Sequence, residues 1–407
     1  MSATERLMRY AGIDTQSDPD SQSHPSSEKQ FDLARLLVKE LRELGVEDAM
    51  VDEHCYVYGH LPSNISQKVP AIGFIAHMDT SPDYSGAGVS PRIIENYDGK
   101  DIPLSETMTM KISDFPWMRD LAGKTLMVTD GTTLLGADDK AGIAAIMEAV
   151  EYFHDHSEEK HGPVSIAFTP DEEIGRGTAC FDPERFQAEF AFTMDGDSIA
   201  VYSDETFNAE TAHVEIHGFS IHPGAAKNRM KNASLIACEF IGLLPDWLTP
   251  AHTENREGFL HLTRLTGTEE KAEFSILLRD FDSENMRKYE ELILDAADFI
   301  NRRYGEKTAA VTFSKTYQNM HEILGRKPEI SSLGEKAIRS LGYEPQNVPI
   351  RGGTDGAALT FMGIPCPNLG CGGNNFHGPY EYCVLEELED AAVLIRRIIA
   401  AVREETE

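Results

Sequence analysis

Three apolar runs of this sequence each end in side chains that can bind a metal ion or move a proton. Runs of this length are typical of buried strands, and open α/β sheets bind their ligands at the carboxyl ends of such strands. The pattern therefore predicts a site at one edge of a sheet. The side chains are His77 and Asp79 after the run 71–75, Glu172 and Glu173 after 164–168, and Asp195 after 190–194.

Imidazole and carboxylate groups clustered in this way suit zinc and similar divalent ions. A hydrolase with two metal ions needs one ligand that both ions share, further ligands at each ion, and a base for the attacking water. The spacing of His77 and Asp79 leaves the imidazole free for a metal while the carboxylate fixes its tautomer. The candidate ligands are His77, Asp139, Glu173, Asp195 and His377, and Glu172 is a spare carboxylate.

Each of these residues also has an ordinary structural interpretation. A single histidine among the 14 of this chain is more often a surface or hydrogen-bonded residue than a metal ligand. Asp138 and Asp139 stand at the start of a predicted helix, where carboxylates are favoured as caps and by the helix dipole. Glu172 and Glu173 could form a solvated acidic turn, and Asp195 could cap another turn. Only the whole set, at one sheet edge, argues for a metal site.

The elements that position these side chains can be predicted from hydrophobic periodicity. Residues 27–44 have one apolar helical face, Ser27 and Gln30 fit a capping box, and Gly45 can close the helix. Residues 85–130 have an irregular pattern and are interpreted as an insertion that carries a hairpin. The first helix is expected to cover a sheet.

From about residue 208 the chain changes to the order β-α-β-β-α-β, which is typical of a compact ferredoxin-like unit. We therefore predict an inserted second domain at 208–317 and a discontinuous first domain at 1–207 and 318–407. An exposed strand of the insert could pair with a second subunit, which leaves a homodimer open. The predicted segments are strand 212–216, helix 232–244, strands 259–265 and 274–281, helix 283–304 and strand 309–314.

Length and composition exclude several classes of function. A chain of 407 residues exceeds one ordinary core, so two domains are the default. Its net charge of −31 would repel a polyanion, and nucleic acid is excluded as a partner. No apolar run approaches the roughly 20 residues of a membrane span, and residues 1–20 do not fit a signal peptide. We expect no membrane association, a cytoplasmic location and six reduced cysteines.

Five short motifs occur along the chain in a characteristic order. They are Ala-His-Met-Asp-Thr (76–80), Gly-Ala-Asp-Asp-Lys-Ala-Gly (136–142), Asp-Glu-Glu-Ile-Gly (171–175), Met-Asp-Gly (194–196) and Asn-Phe-His-Gly (375–378). In this order they resemble the glutamate carboxypeptidase family of cocatalytic zinc peptidases. Residues 168–177, 317–320 and 351–357 resemble its tripeptide aminopeptidases in particular. The resemblance covers nearly the whole chain.

The resemblance implies an α/β fold in which a mixed-sheet zinc-peptidase catalytic domain carries an inserted ferredoxin-like α+β lid domain. It also implies two zinc ions per subunit, for which manganese or cobalt could substitute. Asp139 would bridge the ions. His77 and Asp195 would complete one ion site, and Glu173 and His377 would complete the other.

Two further residues have catalytic roles by this resemblance. Asp79 would orient His77. Glu172 would take a proton from the bridging water as it attacks the scissile carbonyl, and would then pass that proton to the leaving amine. The expected activity is release of the N-terminal residue from tripeptides, in peptide catabolism. Asp197 is an acid where close relatives would carry a glycine. Its charge beside the ligand Asp195 could change the recognition of the substrate amine and thereby the substrate specificity.

Candidate substrate-binding residues lie mainly on the insert, which by resemblance acts as a lid. His222 could donate a hydrogen bond to the oxyanion, Asn232 could hold a backbone group, and Arg279 could pair with a peptide carboxylate. Arg279 could equally form an ion pair on its own sheet face with a neighbouring aspartate. Arg351 and Thr354 are further candidates.

Other functions use the same residues. A dipeptidase, a carboxypeptidase or an N-acyl amino-acid deacylase of this family could share the metal core. A binding protein could retain the fold without turnover, although the presence of Glu172 and of all five proposed ligands favours an enzyme.

Overall fold

The computed structural model describes residues 1–404, and the chain forms two compact units. Unit 1 contains Met1–Asp204, Met320–Val348 and the chain from Thr354 onward, and unit 2 contains Glu205–Asn319 and Pro349–Gly353. The sequence-based prediction assigned Pro349–Gly353 to the first domain. It belongs to unit 2 because it bonds to the start of that unit: its Ile350 N–H donates to the Glu205 carbonyl (2.9 Å), and the Phe207 N–H donates to the Ile350 carbonyl (3.1 Å).

The α-helices within residues 1–404 are α1 (Ala3–Ala11), α2 (Gln30–Glu43), α3 (Ala137–Asp155), α4 (Pro183–Phe186), α5 (Ala233–Ile241), α6 (Ser283–Tyr304), α7 (His321–Leu324), α8 (Pro328–Ser340), α9 (Asp355–Phe361) and α10 (Leu385–Glu404). Short 3-10 helices are found at Pro116–Leu121, Glu172–Ile174, Pro223–Ala225, Asp246–Leu248 and Pro250–His252. None of the helices described has the length and apolar character that a membrane span requires.

The strands are β1 (Met50–Val51), β2 (Val57–Leu61), β3 (Ile72–His77), β4 (Arg92–Ile94), β5 (Ile102–Pro103), β6 (Thr109–Met110), β7 (Leu126–Val128), β8 (Val164–Thr169), β9 (Phe190–Thr193), β10 (Val201–Ser203), β11 (Asn208–His217), β12 (Phe259–Gly267), β13 (Lys271–Asp280), β14 (Ala309–Tyr317), β15 (Gln346–Asn347), β16 (Asn368–Leu369), β17 (Gly373–Asn374) and β18 (Tyr382–Val384).

Unit 1 is built on a mixed sheet with the strand order β1-β2-β8-β3-β9-β16-β10-β15. Strands β8, β3 and β9 lie side by side and run parallel, and nearly all of their residues are buried, as their continuous apolar sequences predict. His77 at the end of β3 is in register with Thr169 at the end of β8. The carboxyl ends of these strands therefore meet at one edge.

Helix α3 lies against the central strand β3, and α1 and α10 pack against α3. Gly142 allows the close approach of α3 to the end of β9, because a Cβ atom there would lie 2.1 Å from the Met194 carbonyl oxygen. A larger residue would push the start of α3 away from the strand ends.

Helix α2 confirms the predicted helix at 27–44, but the predicted capping box is wrong. Lys29 is the N-cap residue and makes no capping bond. The Gln30 side chain instead donates to the buried Asp171 carboxylate (2.7 Å), so it is not available to the helix end. Among the described helices, α1 has a capping box, formed by Ser2 and Glu5.

The insertion at 85–130 contains the predicted hairpin, formed by β5 and β6. Its strands β4 and β7 join β17 and β18 in a separate sheet with the order β17-β18-β7-β4. This second sheet has its own small core. It holds the chain segment on both sides of His377.

Unit 2 has the chain order β11-α5-β12-β13-α6-β14, which is the predicted ferredoxin-like order. Its antiparallel sheet has the strand order β12-β13-β11-β14, and α5 and α6 pack against it over a common core. Burial alternates along much of β11, in keeping with a strand that has one covered face. Helix α6 has the predicted bounds, and the Asp282 side chain caps its first turn.

Candidate metal and catalytic site

Five segments of unit 1 bring polar side chains together where the central strands end. His77 is the last residue of β3, and Asp138 lies in the first turn of α3. Glu173 is in the 3-10 helix that follows β8, Asp195 follows β9, and His377 lies between β17 and β18. The strand-end arrangement expected from the sequence is present.

Asp138 lies between the two histidines. Its Oδ1 atom is 2.8 Å from His77 Nε2, and its Oδ2 atom is 3.3 Å from His377 Nε2. Two groups of potential ligand atoms result, each with its atoms within 4.8 Å of one another. The groups are His77, Asp138 and Asp195, and Asp138, Glu173 and His377. A single carboxylate is common to both, which is what a pair of neighbouring metal ions requires.

The shared carboxylate belongs to Asp138, whereas the sequence interpretation assigned it to Asp139. Asp139 is fully buried, and its carboxylate accepts hydrogen bonds from the backbone N–H groups of His77 and Gly142, each at 3.2 Å. Although both aspartates fall within α3, their backbone angles are not helical (φ −85°, ψ 104° and φ −119°, ψ 36°). The consecutive side chains therefore serve different partners, and Asp139 supports the backbone of the site.

Asp79 connects His77 to the acidic turn after β8. Its buried carboxylate accepts the backbone N–H groups of Glu172 (3.0 Å) and Glu173 (3.2 Å). His77 Nδ1 lies 3.4 Å from Asp79 Oδ1 and 3.0 Å from its carbonyl oxygen. These contacts orient the ring with Nε2 toward Asp138.

The carboxyl groups are crowded and largely removed from water. Burial raises the pKa of Asp195 to about 8 and that of Glu173 to about 7, and repulsion from Asp138 adds to both shifts. Burial also holds the pKa of Glu172 well above its ordinary range, against the opposing effect of His77. At neutral pH the cluster therefore needs protons or cations to balance its charge.

The imidazoles supply part of that balance. Hydrogen bonds to Asp138 and Glu173 raise the pKa of His377 to about 11. Burial alone would lower the pKa of His77, but its hydrogen bonds to Asp138 and Asp79 raise it well above the usual value. For Asp138 the directions are reversed: burial alone would raise the pKa of its carboxyl group, but hydrogen bonds from His377 and His77 lower it.

The chemistry of the donor atoms fits two divalent cations. Glu173 Oε1 is buried and has no hydrogen-bond partner among the described residues, while Oε2 lies 2.9 Å from His377 Nε2. Imidazole nitrogen and carboxylate oxygen are the usual ligands of zinc and related metals. Glu172 belongs to neither group of ligand atoms, so its carboxyl group is not committed to either candidate metal position.

Two candidate substrate residues of unit 2 have local partners. His222 lies in an exposed turn, where its Nδ1 atom accepts the Gly224 N–H (3.1 Å). The Asn232 side chain caps α5 by accepting the Leu235 N–H (3.1 Å). Both bonds are of a kind that local structure alone explains.

Arg279 does not form the ion pair that its neighbours in the sequence suggested. Its guanidinium group donates to the backbone carbonyls of Leu278 (2.9 Å) and Glu210 (3.2 Å) and lies over the Tyr317 ring at 5.3 Å. The Asp280 carboxylate instead accepts the Tyr289 hydroxyl (2.7 Å). The charge of Arg279 is thus not neutralised by a neighbouring aspartate.

The two remaining substrate candidates belong to different units. In unit 2, Arg351 donates to the Thr253 hydroxyl and to the Glu257 carbonyl, each at 3.1 Å. In unit 1, the Thr354 side chain caps α9 by accepting the Ala357 N–H (3.3 Å). The described contacts of Thr354 are those of a helix cap.

Two buried acids near the site were not identified from the sequence. Asp171 begins the acidic turn and accepts the Ser26 N–H (2.7 Å), which ties an N-terminal segment to that turn. Asp355 accepts the Thr169 hydroxyl (2.6 Å), and burial raises its pKa to about 6. Both stand in motifs noted in the sequence, but acidic runs alone are usually solvated. Their burial was the missing information.

Comparisons with known proteins identify the family and the fold. Residues 126–401 match the family model for peptidase family M20/M25/M40. The peptidase T of Desulfitobacterium hafniense is 49% identical over 406 residues, which cover 99% of each chain. Among solved structures, the aminopeptidase PepT of Bacillus cereus has a TM-score of 0.75 at 22% identity and covers 98% of each chain. A tripeptidase of Staphylococcus aureus has a TM-score of 0.76 at 21% identity, covering 99% of this chain and 98% of that one.

Proposed function

This chain belongs to peptidase family M20/M25/M40, and we propose that it is a metal-dependent aminopeptidase that releases the N-terminal residue from tripeptides. The observation that carries the metal-dependent part is the Asp138 carboxylate between His77 and His377. Polarity of cleavage and tripeptide length rest on the similarity to proteins named peptidase T, aminopeptidase and tripeptidase.

The proposed ligand set differs from the sequence interpretation at one position. His77, Asp138 and Asp195 would hold one ion, and Asp138, Glu173 and His377 would hold the other. Zinc is the proposed native metal, with manganese or cobalt as substitutes in the same ligands. When bound, such ions lower the pKa of the attacking water and polarise the scissile carbonyl.

Glu172 is the proposed general base. Its raised pKa suits a group that takes a proton from the attacking water and then passes this proton on to the leaving amine. The Asp79 carboxylate contacts the His77 ring and accepts the backbone N–H of Glu172. It therefore fixes the position of the proposed ligand His77 relative to that of the proposed base Glu172. Asp79 is therefore proposed to position both.

The substrate contacts remain proposals of the same kind. His222, Asn232 and Arg279 would reach the peptide from the insert, and Arg351 and Thr354 are weaker candidates. Arg279 is the best supported of the five because its planar cation lacks a carboxylate partner in its sheet and matches a peptide carboxylate. Binding would require these side chains to exchange their local hydrogen bonds.

Product identification after metal removal tests the proposal. Purified protein is treated with a chelator, reloaded with zinc, manganese or cobalt, and given a tripeptide of three different residues. Matched samples contain its N-acetylated form, a dipeptide and an N-acyl amino acid. The expected result is metal-restored release of the N-terminal residue from the free tripeptide, with little or no product from the blocked one.

Each competing function has its own outcome in this assay. Release of the C-terminal residue would indicate a carboxypeptidase, preference for the dipeptide a dipeptidase, and cleavage of the acyl group a deacylase. Absence of turnover on every substrate, with metal bound, would favour a binding protein.

A further inference from the structure

Glu381 is a buried acid that the mechanism above does not use. Glu381 is only 1% exposed to solvent. The carboxylate accepts three backbone N–H groups, from Leu135 (2.6 Å), Gly136 (2.8 Å) and Asp138 (3.1 Å). Two of the donors lie in the loop that leads into α3, and the third lies in the first turn of α3. The last of them is the backbone of the shared ligand.

The loop is shaped to surround an anion. Gly136 has a left-handed conformation (φ 75°, ψ 26°), which glycine adopts without strain. A left-handed residue within such a loop turns successive N–H groups toward one point and forms a concave anion-binding surface. Here the anion is the protein's own Glu381 carboxylate. Burial raises its pKa to about 7, against the opposing effect of the backbone donors.

Glu381 is itself firmly held. It directly precedes β18, whose neighbours in the sheet are β17 and β7. His377 lies four residues earlier in the same segment. The carboxylate thus joins the segment that carries His377 to residues 135–138, which lead into the first turn of α3 and include Asp138. The bonded residues are 243 to 246 positions apart in the sequence.

We propose that Glu381 is a positioning residue that fixes the Asp138 carboxylate between His77 and His377. It acts through the backbone of Asp138, because the hydrogen bonds described for its carboxylate are to backbone N–H groups and not to candidate ligand atoms. The inference rests on the proposed function because it assumes that Asp138 binds metal. Since Asp138 is shared by both groups, loosening it should weaken the two ions together.

The test compares zinc binding by Glu381→Gln, Glu381→Asp and the wild-type protein, using calorimetry after chelation. The glutamine amide keeps the shape of the side chain but sets an N–H₂ group against backbone donors. The aspartate keeps the charge but is too short to reach all three. We expect zinc affinity to fall about 10- to 100-fold in Glu381→Gln, as for other residues that support metal ligands. Glu381→Asp should fall between that variant and the wild type.

Glu386→Gln is the matched control. Glu386 lies five residues further along, and its carboxylate also accepts a backbone N–H, that of Thr125 (2.9 Å), which lies outside residues 135–138. This variant should bind two zinc ions with wild-type affinity. The thermal midpoints of the metal-free variants are measured alongside to separate stability from metal affinity.

The outcomes distinguish positioning from simple stabilisation. Loss of zinc affinity at both ions in Glu381→Gln, with Glu386→Gln unchanged, supports the proposal. Zinc affinity within twofold of wild type, with only a lower thermal midpoint, overturns it. If neither Glu381 variant folds, hydrogen exchange on the wild-type protein decides: zinc should slow exchange of the amides at 135–138, and unchanged exchange there contradicts the proposal.

Failure of this inference can be told apart from failure of the proposed function. A wild-type protein that binds no divalent ion and cleaves no peptide would remove the proposed function itself. A wild-type protein that binds two ions and cleaves tripeptides, beside a Glu381→Gln variant with equal zinc affinity, would remove only the role of Glu381.

Discussion

The polar residues of the two units are held in different ways. In unit 1, His77 and His377 come from distant parts of the chain, and each contacts Asp138 at the strand ends. In unit 2, Asn232 caps its own helix and Arg279 bonds to backbone carbonyls of its own sheet. The metal site geometry is thus a property of the folded unit 1. The proposed substrate contacts from unit 2 would require local bonds to be exchanged, so we expect their effects to be smaller.

The largest effect should come from removing the shared carboxylate. Asp138→Asn is expected to lose both ions and all measurable peptidase activity, because each ligand group loses the same member. Asp139→Asn should keep two ions, since its contacts are to backbone N–H groups, and should reduce stability by about 1–3 kcal/mol. Metal stoichiometry by mass spectrometry checks both. Retention of two ions by Asp138→Asn and their loss in Asp139→Asn would reverse the assignment.

The next effect should be on turnover alone. Glu172→Gln removes the proposed base and should lower kcat by about 10² to 10⁴. Its metal content should remain two ions, because Glu172 lies in neither ligand group. Steady-state kinetics and metal analysis are measured on the same preparation. Glu158→Gln, at an exposed position, is the control, and equal rates for Glu172→Gln and this control would remove the proposed base.

A smaller effect should follow from changing unit 2. Arg279→Gln removes the cation proposed to bind the peptide carboxylate, a hydrogen bond worth about 1.5–3 kcal/mol, so kcat/KM for a tripeptide should fall roughly 10- to 100-fold. Metal content should not change. Arg264→Gln, on the exposed strand β12, should behave as wild type. A kcat/KM equal to that of this control would leave Arg279 a purely structural residue.

The smallest effect concerns an acid pair of unit 2. A hydrogen bond with Glu210 and partial burial raise the pKa of Glu290 to about 7. Because the folded pKa exceeds that of the unfolded chain, this pair stabilises the protein at low pH, and the contribution is lost as pH rises through about 7. Glu290→Gln should reduce the fall in thermal midpoint between pH 5 and pH 8. The change should be small because Glu290 is only partly buried, so solvent screens the interaction.

The control for this measurement is Glu291→Gln, at the exposed neighbouring position. It should retain the wild-type pH dependence. The same fall in midpoint for Glu290→Gln and Glu291→Gln would show that the Glu210–Glu290 pair does not contribute.

Much of the fold could be predicted because the spacing of apolar residues in the sequence agrees with the burial of those residues in the structure. The apolar runs ending near His77, Glu172 and Asp195 form the three central parallel strands, and helix α6 has its predicted bounds. Sequence motifs then indicated the family. The rule that ligands bind at the carboxyl ends of parallel strands predicted the sheet edge at which the candidate site lies.

The remaining details depend on backbone geometry and distant contacts. Whether Asp138 or Asp139 faces the histidines is decided by non-helical angles at two adjacent residues. The role of Glu381 depends on donors more than 240 positions away. The cap predicted at Ser27 failed because the Gln30 side chain bonds to Asp171. None of these choices leaves a periodic signal in the sequence.

Anomalous diffraction from zinc-loaded crystals tests the central claim most directly. The account predicts two anomalous peaks about 3.5–4 Å apart, with the Asp138 carboxylate contacting both, His77 and Asp195 at one, and Glu173 and His377 at the other. A single peak at this site, or two peaks bridged by Asp139, would contradict it.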